Sequence, residues 1–231
     1  MSVALSQIES SLSLFTEGIA GRFIHLKEIT EFNPRLPLKV EALTIHQTRD
    51  SILLPAELED GYEGDYRFLV MEQLGYRECG TFHFSIDTAK SLLPSLAKRE
   101  PSRKEYGPRT GEYQMLFSHF SSPYLAERLF DLLENQRIKG HLIQSYPGLT
   151  KHLIRYQHRR SENEFDRNDL FQYAENWSLQ NVTQLPKALP RSWTSLLEKM
   201  LDLQLCAGNS DHSVYDTVTA LAEIYDTIEQ E

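Results

Sequence analysis

Residues Phe117 to Leu149 read FSHFSSPYLAERLFDLLENQRIKGHLIQSYPGL, and the rest of the chain is organised around them. Ser122 followed by Pro123 is a helix start: a hydroxyl to cap free backbone N–H groups, then a residue that needs no N–H of its own. Pro147-Gly148 is a stop. Between them Leu125, Leu129, Leu132, Leu133 and Ile143 recur at spacings of three, four and seven, the mark of an amphipathic helix. A second stripe, Phe130, Glu134, Arg137 and His141, flanks the first. Its polar members are candidates to read a partner, to hold a structural network, or to bind a ligand. The plainest expectation for Glu134 and Arg137 is an exposed i,i+3 ion pair worth about 0.2–0.5 kcal/mol.

Outward from this helix, the 231 residues are 40% hydrophobic and 25% charged, enough for a sizeable core in one large domain or two small ones. No apolar run approaches the roughly 20 residues that span a bilayer. The N-terminus, MSVALSQIESSLSLF, has no basic segment and no apolar block, so it does not read as a secretion signal. The two cysteines, Cys79 and Cys206, lack metal-ligand spacing. They are expected to be buried, reduced thiols, which points to the cytoplasm.

The net charge of -9 argues against general nucleic-acid affinity. The charge is uneven: Asp211 to Glu231 is acidic throughout, whereas Lys98 to Arg109 and Lys151 to Arg160 are basic. Arg99, Arg103 and Lys104 in the first basic stretch are candidates for electrostatic steering of a partner.

The N-terminal half predicts a mixed region. Residues 3–20 have helical periodicity and end between Gly18 and Gly21. Arg22–Ile29, Leu38–His46 and Ser51–Leu54 alternate or run apolar, which predicts short strands in a small sheet or hairpin. A helix over 65–79 is apolar nearly all round, so it belongs inside. On it Glu72 lies among Phe68, Tyr76 and Cys79, with the Tyr76 hydroxyl its nearest candidate donor. Thr81–Ser85 alternates and suggests a strand or extended turn, and residues 87–97 suggest one helix capped by Asp87. Residues 98–111 form an exposed basic loop. Further helices are expected over 149–160, 169–177, 192–206 and from Ser213 to the end. The fold class is mainly α with a small β-sheet or hairpin near the N-terminus. One domain over 1–231 divides into a mixed α/β subregion (1–97), the loop, and a helical subregion (112–231). The last helix shows no stop signal, and we expect the natural chain to continue.

None of the eight histidines makes a zinc or metallopeptidase motif, and no phosphate-binding glycine loop or nucleophile elbow is present. No catalytic residue, metal site or cofactor is assigned.

Three segments in order then carry a resemblance. The first is Ser51-Ile52-Leu53-Leu54-Pro55. The second runs from Tyr66 to Phe84 and ends Glu78-Cys79-Gly80-Thr81-Phe82-His83-Phe84. The third is Leu129-Phe130-Asp131-Leu132-Leu133-Glu134-Asn135-Gln136-Arg137-Ile138, followed by Tyr146-Pro147-Gly148-Leu149. Together, over about residues 50–150, they resemble the N-terminal region of the CbbO/NorD proteins. The resemblance implies a partner ATPase hexamer of the MoxR class of AAA+ proteins and a C-terminal von Willebrand factor A domain, which is missing here. It implies a client enzyme met through that missing domain: rubisco for the CbbO type, nitric oxide reductase for the NorD type. The expected function is a non-enzymatic adaptor, with Glu72, Tyr76, Glu134, Arg137 and His141 as a partner-binding or structural polar network. The alternative is a degenerate metallopeptidase-like hydrolase around Glu72, Tyr76, Glu134 and His141.

Overall fold

The computed structural model describes residues 2–29, 51–58, 63–101, 111–149, 169–179, 184–186, 189–207 and 212–230. In these the chain runs β1 (Val3–Ala4), α1 (Leu5–Ala20), β2 (His25–Ile29), β3 (Ser51–Pro55), β4 (Glu57–Leu58) and α2 (Glu63–Glu78). After a 3-10 turn at Thr81–His83 come α3 (Ile86–Leu92), α4 (Pro94–Ala97), α5 (Glu112–Phe117) and α6 (Pro123–Ser145). A second 3-10 turn, Pro147–Leu149, precedes α7 (Leu170–Leu179), α8 (Arg191–Cys206) and α9 (Val214–Glu229). The fold is helix-dominated, with a small strand set near the N-terminus. Among the described residues no helix is long and apolar enough to cross a membrane.

The centre of the fold is α6. It starts as its sequence dictates, with the Ser122 hydroxyl accepting from the Leu125 amide and Pro123 in the first turn. It is not amphipathic in place, however. α2, α5, α7, α8 and α9 all pack on it, and Ala126, Leu129, Phe130, Leu132, Leu133, Ile138 and Leu142 are buried. Glu134 and Arg137 are buried with them, at 0% and 2% exposure, so the exposed ion pair expected from spacing is not what forms. Helices approach α6 closely where side chains vanish. At Gly140 a Cβ would stand 2.1 Å from the Gln204 carbonyl oxygen of α8, and at Gly75 of α2 it would stand 2.8 Å from the Ile138 Cγ2.

The strands form two two-stranded sheets. β1 pairs antiparallel with β4, and β2 pairs parallel with β3, His25 opposite Ser51. Of the small sheet or hairpin expected here, β2 and β3 form a sheet and not a hairpin, because a tight turn joins only antiparallel neighbours. The expected strand over Leu38–His46 lies outside the described residues. Val3, expected on the first helix, is in β1 instead.

β3 is buried at every position, and α2 supplies partners for its backbone. The Gln73 side chain behaves like a neighbouring strand: its Oε1 accepts from the Leu53 amide at 2.9 Å and its Nε2 donates to the Leu53 carbonyl at 2.6 Å. The Tyr66 hydroxyl donates to the Pro55 carbonyl, and an Arg77 Nη2 donates to that of Ser51. These bonds satisfy backbone groups that would otherwise be stranded in an apolar interior.

Local stop signals act as expected at Gly21 and Gly80, both with positive φ, 65° and 70°. Two local readings change. Thr81–His83 is a 3-10 turn and not a strand, because Gly80 reverses the chain directly before it. Residues 87–97 split into α3 and α4 at Pro94: Leu93 is extended, as the residue before a proline prefers, and Asp87 sits in the first turn of α3 and does not cap it. α9 opens with the expected cap, a box in which the Ser213 amide donates to Asp216 and the Tyr215 amide to the Ser213 hydroxyl. The helix expected over 149–160 falls almost wholly outside the described residues.

Candidate functional site

Glu134 is the hub. Arg137, one turn further along α6, donates from Nε to Oε2 at 2.9 Å and from Nη2 to Oε1 at 2.6 Å, a two-point clamp. The Thr81 hydroxyl, from the turn after α2, donates to Oε1 at 2.5 Å. The Thr217 hydroxyl, from α9, donates to Oε2 at 2.6 Å. Each carboxylate oxygen therefore accepts two hydrogen bonds, which fills the roughly four acceptor positions a carboxylate offers. Arg137 is tied further, to the Cys79 carbonyl at 3.1 Å and to the Thr81 hydroxyl at 3.3 Å. Tyr113 of α5 closes one side, donating to the Thr81 carbonyl at 2.5 Å.

Burial works against both charges, and the pair answers it. Desolvation pulls the Arg137 guanidinium down, but the charge and hydrogen bonds of Glu134 outweigh it and hold Arg137 above its ordinary value. Burial, with the Glu134 carboxylate nearby, pushes the Tyr113 phenol well up, so it stays a neutral donor. A carboxylate so fully engaged has no acceptor position left for a further ligand. What the arrangement does is fasten α6, the 80–83 turn and α9 to one another.

The five residues singled out in sequence do not make one site. Glu134 and Arg137 meet in the hub. Tyr76 is fully buried beside it, but its hydroxyl donates to the Asn135 Oδ1, not to Glu72 as spacing suggested. Burial, followed by the nearby charge of Glu72, pushes the Tyr76 phenol well up. Glu72 itself is half-buried. His141 lies two turns on from Glu134, at the rim, where its Nε2 meets the Glu78 Oε2 at 2.9 Å and Tyr146 donates to the other Glu78 oxygen at 2.7 Å. Among the described residues no three His, Cys, Asp or Glu side chains are grouped to hold a metal ion. Thr81, Thr217, Asn135, Glu78 and Tyr146 were missed as partners; all but Thr217 stand in the segments that carry the resemblance, but no helical spacing pairs them with Glu134, Tyr76 or His141.

The steering candidates also separate. Arg99 grips Asp226 of α9 with its Nη2 at 2.9 Å from both carboxylate oxygens. Its guanidinium stacks over Phe120 at 4.9 Å and Tyr225 at 5.7 Å. The basic stretch and the acidic terminal helix thus meet at this point, on the surface of the molecule. The carbonyl of Arg99 takes a hydrogen bond at 2.6 Å from His119, a buried ring whose pKa burial lowers. Arg103 and Lys104 lie outside the described residues. Both cysteines are free and half-buried, more open than expected.

Against known proteins the chain stands apart: no family model, no curated protein and no solved structure matches it.

Proposed function

We propose that this chain is a non-enzymatic adaptor domain of the CbbO/NorD kind. It docks on a MoxR-type AAA+ ATPase and couples ATP-driven motion to a client enzyme, rubisco in the first place and nitric oxide reductase in the second. The order of the three motif segments supports the reading. The observation that carries it is the saturation of Glu134: in the most distinctive segment, the charged side chains are spent on the fold. Leu129, Phe130, Leu133 and Ile138 of the same segment are core. A segment used this way builds a scaffold, and a scaffold with its polar residues turned inward acts through the surface it presents. In this reading the client is engaged through a downstream von Willebrand domain, while these residues meet the ATPase.

The test is capture of a MoxR-class ATPase from the same organism, with ATP, a slowly hydrolysed analogue, or ADP present. The proposal expects a complex in at least one nucleotide state and stimulation or restraint of ATP hydrolysis. Folded protein that forms no complex in any state contradicts it.

A further inference from the structure

α7 is fastened to α6 by poorer contacts than those of the hub. Its buried apolar side chains, among the described residues, are Ala174 and Trp177, whereas α9 buries them along its whole length from Val214 to Ile228. Three polar groups are buried about the same contact. Lys139, 8% exposed, donates its ammonium to the Ser178 carbonyl near the end of α7, and a neutral carbonyl only partly offsets a buried charge. The Trp177 Nε1, next to Ser178, is buried without an acceptor. The Gln136 Oε1, one turn before Lys139 on α6, is buried without a donor. Such groups lose their hydration in the docked state, and water restores it when the helix lifts. Other grips on α7 are made by half-buried side chains. The Arg128 guanidinium of α6 lies 3.8 Å over the Phe171 ring, and Tyr173 meets Trp193 of α8 with ring centres 5.3 Å apart. Arg128 and Lys139 stand three turns apart on α6, hence on one side of it, and α7 engages both. The hub draws on the 80–83 turn and on α9, not on α7.

We propose that α7 is a releasable strap: it lifts from α6 as one unit while the hub and the helices around it stay folded, and its lifting turns Arg128 and Lys139 from covered to solvent-facing. Release is driven by the hydration of Lys139, Gln136 and the Trp177 indole N–H. It is opposed by the burial of Ala174 and the Trp177 ring and by the two ring contacts. Local opening of this kind belongs to segments with few buried apolar contacts. It changes what one side of α6 presents, two cations in place of an aromatic helix face, without unfolding the scaffold. The inference does not depend on ATPase docking.

The test is amide hydrogen exchange of the full chain at pH 7, read residue by residue by NMR over urea concentrations below the unfolding transition. The amides of Ala174 to Ser178 should share one opening equilibrium, at least a hundredfold more open than that of Leu132 to Ile138 in α6. Its urea dependence should be much the weaker, because only one helix's contact surface becomes exposed. Protection that is graded along α7 and lost only at its ends marks fraying and overturns the proposal. So does exchange of α7 with the opening constant and urea dependence of α6. Lys139→Met keeps the aliphatic stem and removes the buried charge, and it should slow α7 exchange at least tenfold. Unchanged or faster α7 exchange in a folded Met variant contradicts the account of what drives release. If that variant does not fold, the pattern in the parent decides alone.

Discussion

Lys139 and His141 stand two residues apart on α6 and titrate in opposite senses. Lys139 is buried, with its Nζ donating to the Ser178 carbonyl at the end of α7, and burial lowers it to about 8. Below pH 8 the fold carries a buried charge, and that penalty is relieved as pH rises from 8 towards the ordinary lysine value. His141 is raised to about 9, first by Cys79 and then by Glu78. Its contribution is fully present below the ordinary histidine value near 6.5 and is lost as pH rises through 9. Glu78 is lowered, its hydrogen bond from His141 outweighing burial, so its share is lost only as pH falls through the acid range. Denaturant unfolding from pH 6 to 10 should separate the two bases. His141→Gln should remove the decline between pH 6.5 and 9. Lys139→Met should raise stability at pH 7 by roughly 1–3 kcal/mol, the pKa displacement less one hydrogen bond, and should flatten the rise above pH 8. A Met variant weaker than the parent at pH 7 would show that the Ser178 bond matters more than the buried charge.

Among the elements, the limits of sequence reading are plain. Capped ends were legible because their chemistry is local: Ser122 with Pro123, Ser213, and the left-handed glycines Gly21 and Gly80. The interior character of α2 was legible from its apolar circumference. The hub was not, because Thr81 and Thr217 lie 53 and 83 residues from Glu134, and a threonine carries no mark of a distant carboxylate. Spacing offered Tyr76 as a donor for Glu72; packing turned its ring into the α2–α6 interface, where Asn135 took the hydroxyl. Glycines in α6 and α2 also passed unnoticed, and they set how near the helices come. Gly140→Ala should lower stability by about 1–3 kcal/mol, because the new methyl meets α8 backbone, which cannot rotate away, and this exceeds the gain of up to about 1 kcal/mol in helix propensity. Gly75→Ala meets a side-chain methyl of Ile138 and should cost less. Thermal unfolding of the two variants ranks them, and a more stable Gly140→Ala would show that α6 and α8 stand further apart.

Over the whole molecule, the middle of the chain and its last helix are drawn together twice: by Arg99 on Asp226, and by Glu134 between Thr81 and Thr217. The first bond changes what charge reversal does. Arg99→Glu should weaken the fold by about 1–2 kcal/mol, losing a cation stacked on Phe120 and facing Asp226 with like charge. Reversing Arg103 and Lys104 should instead slow ATPase association at low salt and flatten its salt dependence. Identical association kinetics for that double variant and the parent would remove the basic stretch from the docking account. The second bond carries the larger claim, that the charged pair of the motif holds the molecule together and does no chemistry. Urea unfolding of Glu134→Ala tests it most directly. Stranding Arg137 in the interior should lower stability by about 3–5 kcal/mol. A loss under about 1 kcal/mol, the range of an exposed pair, would contradict it.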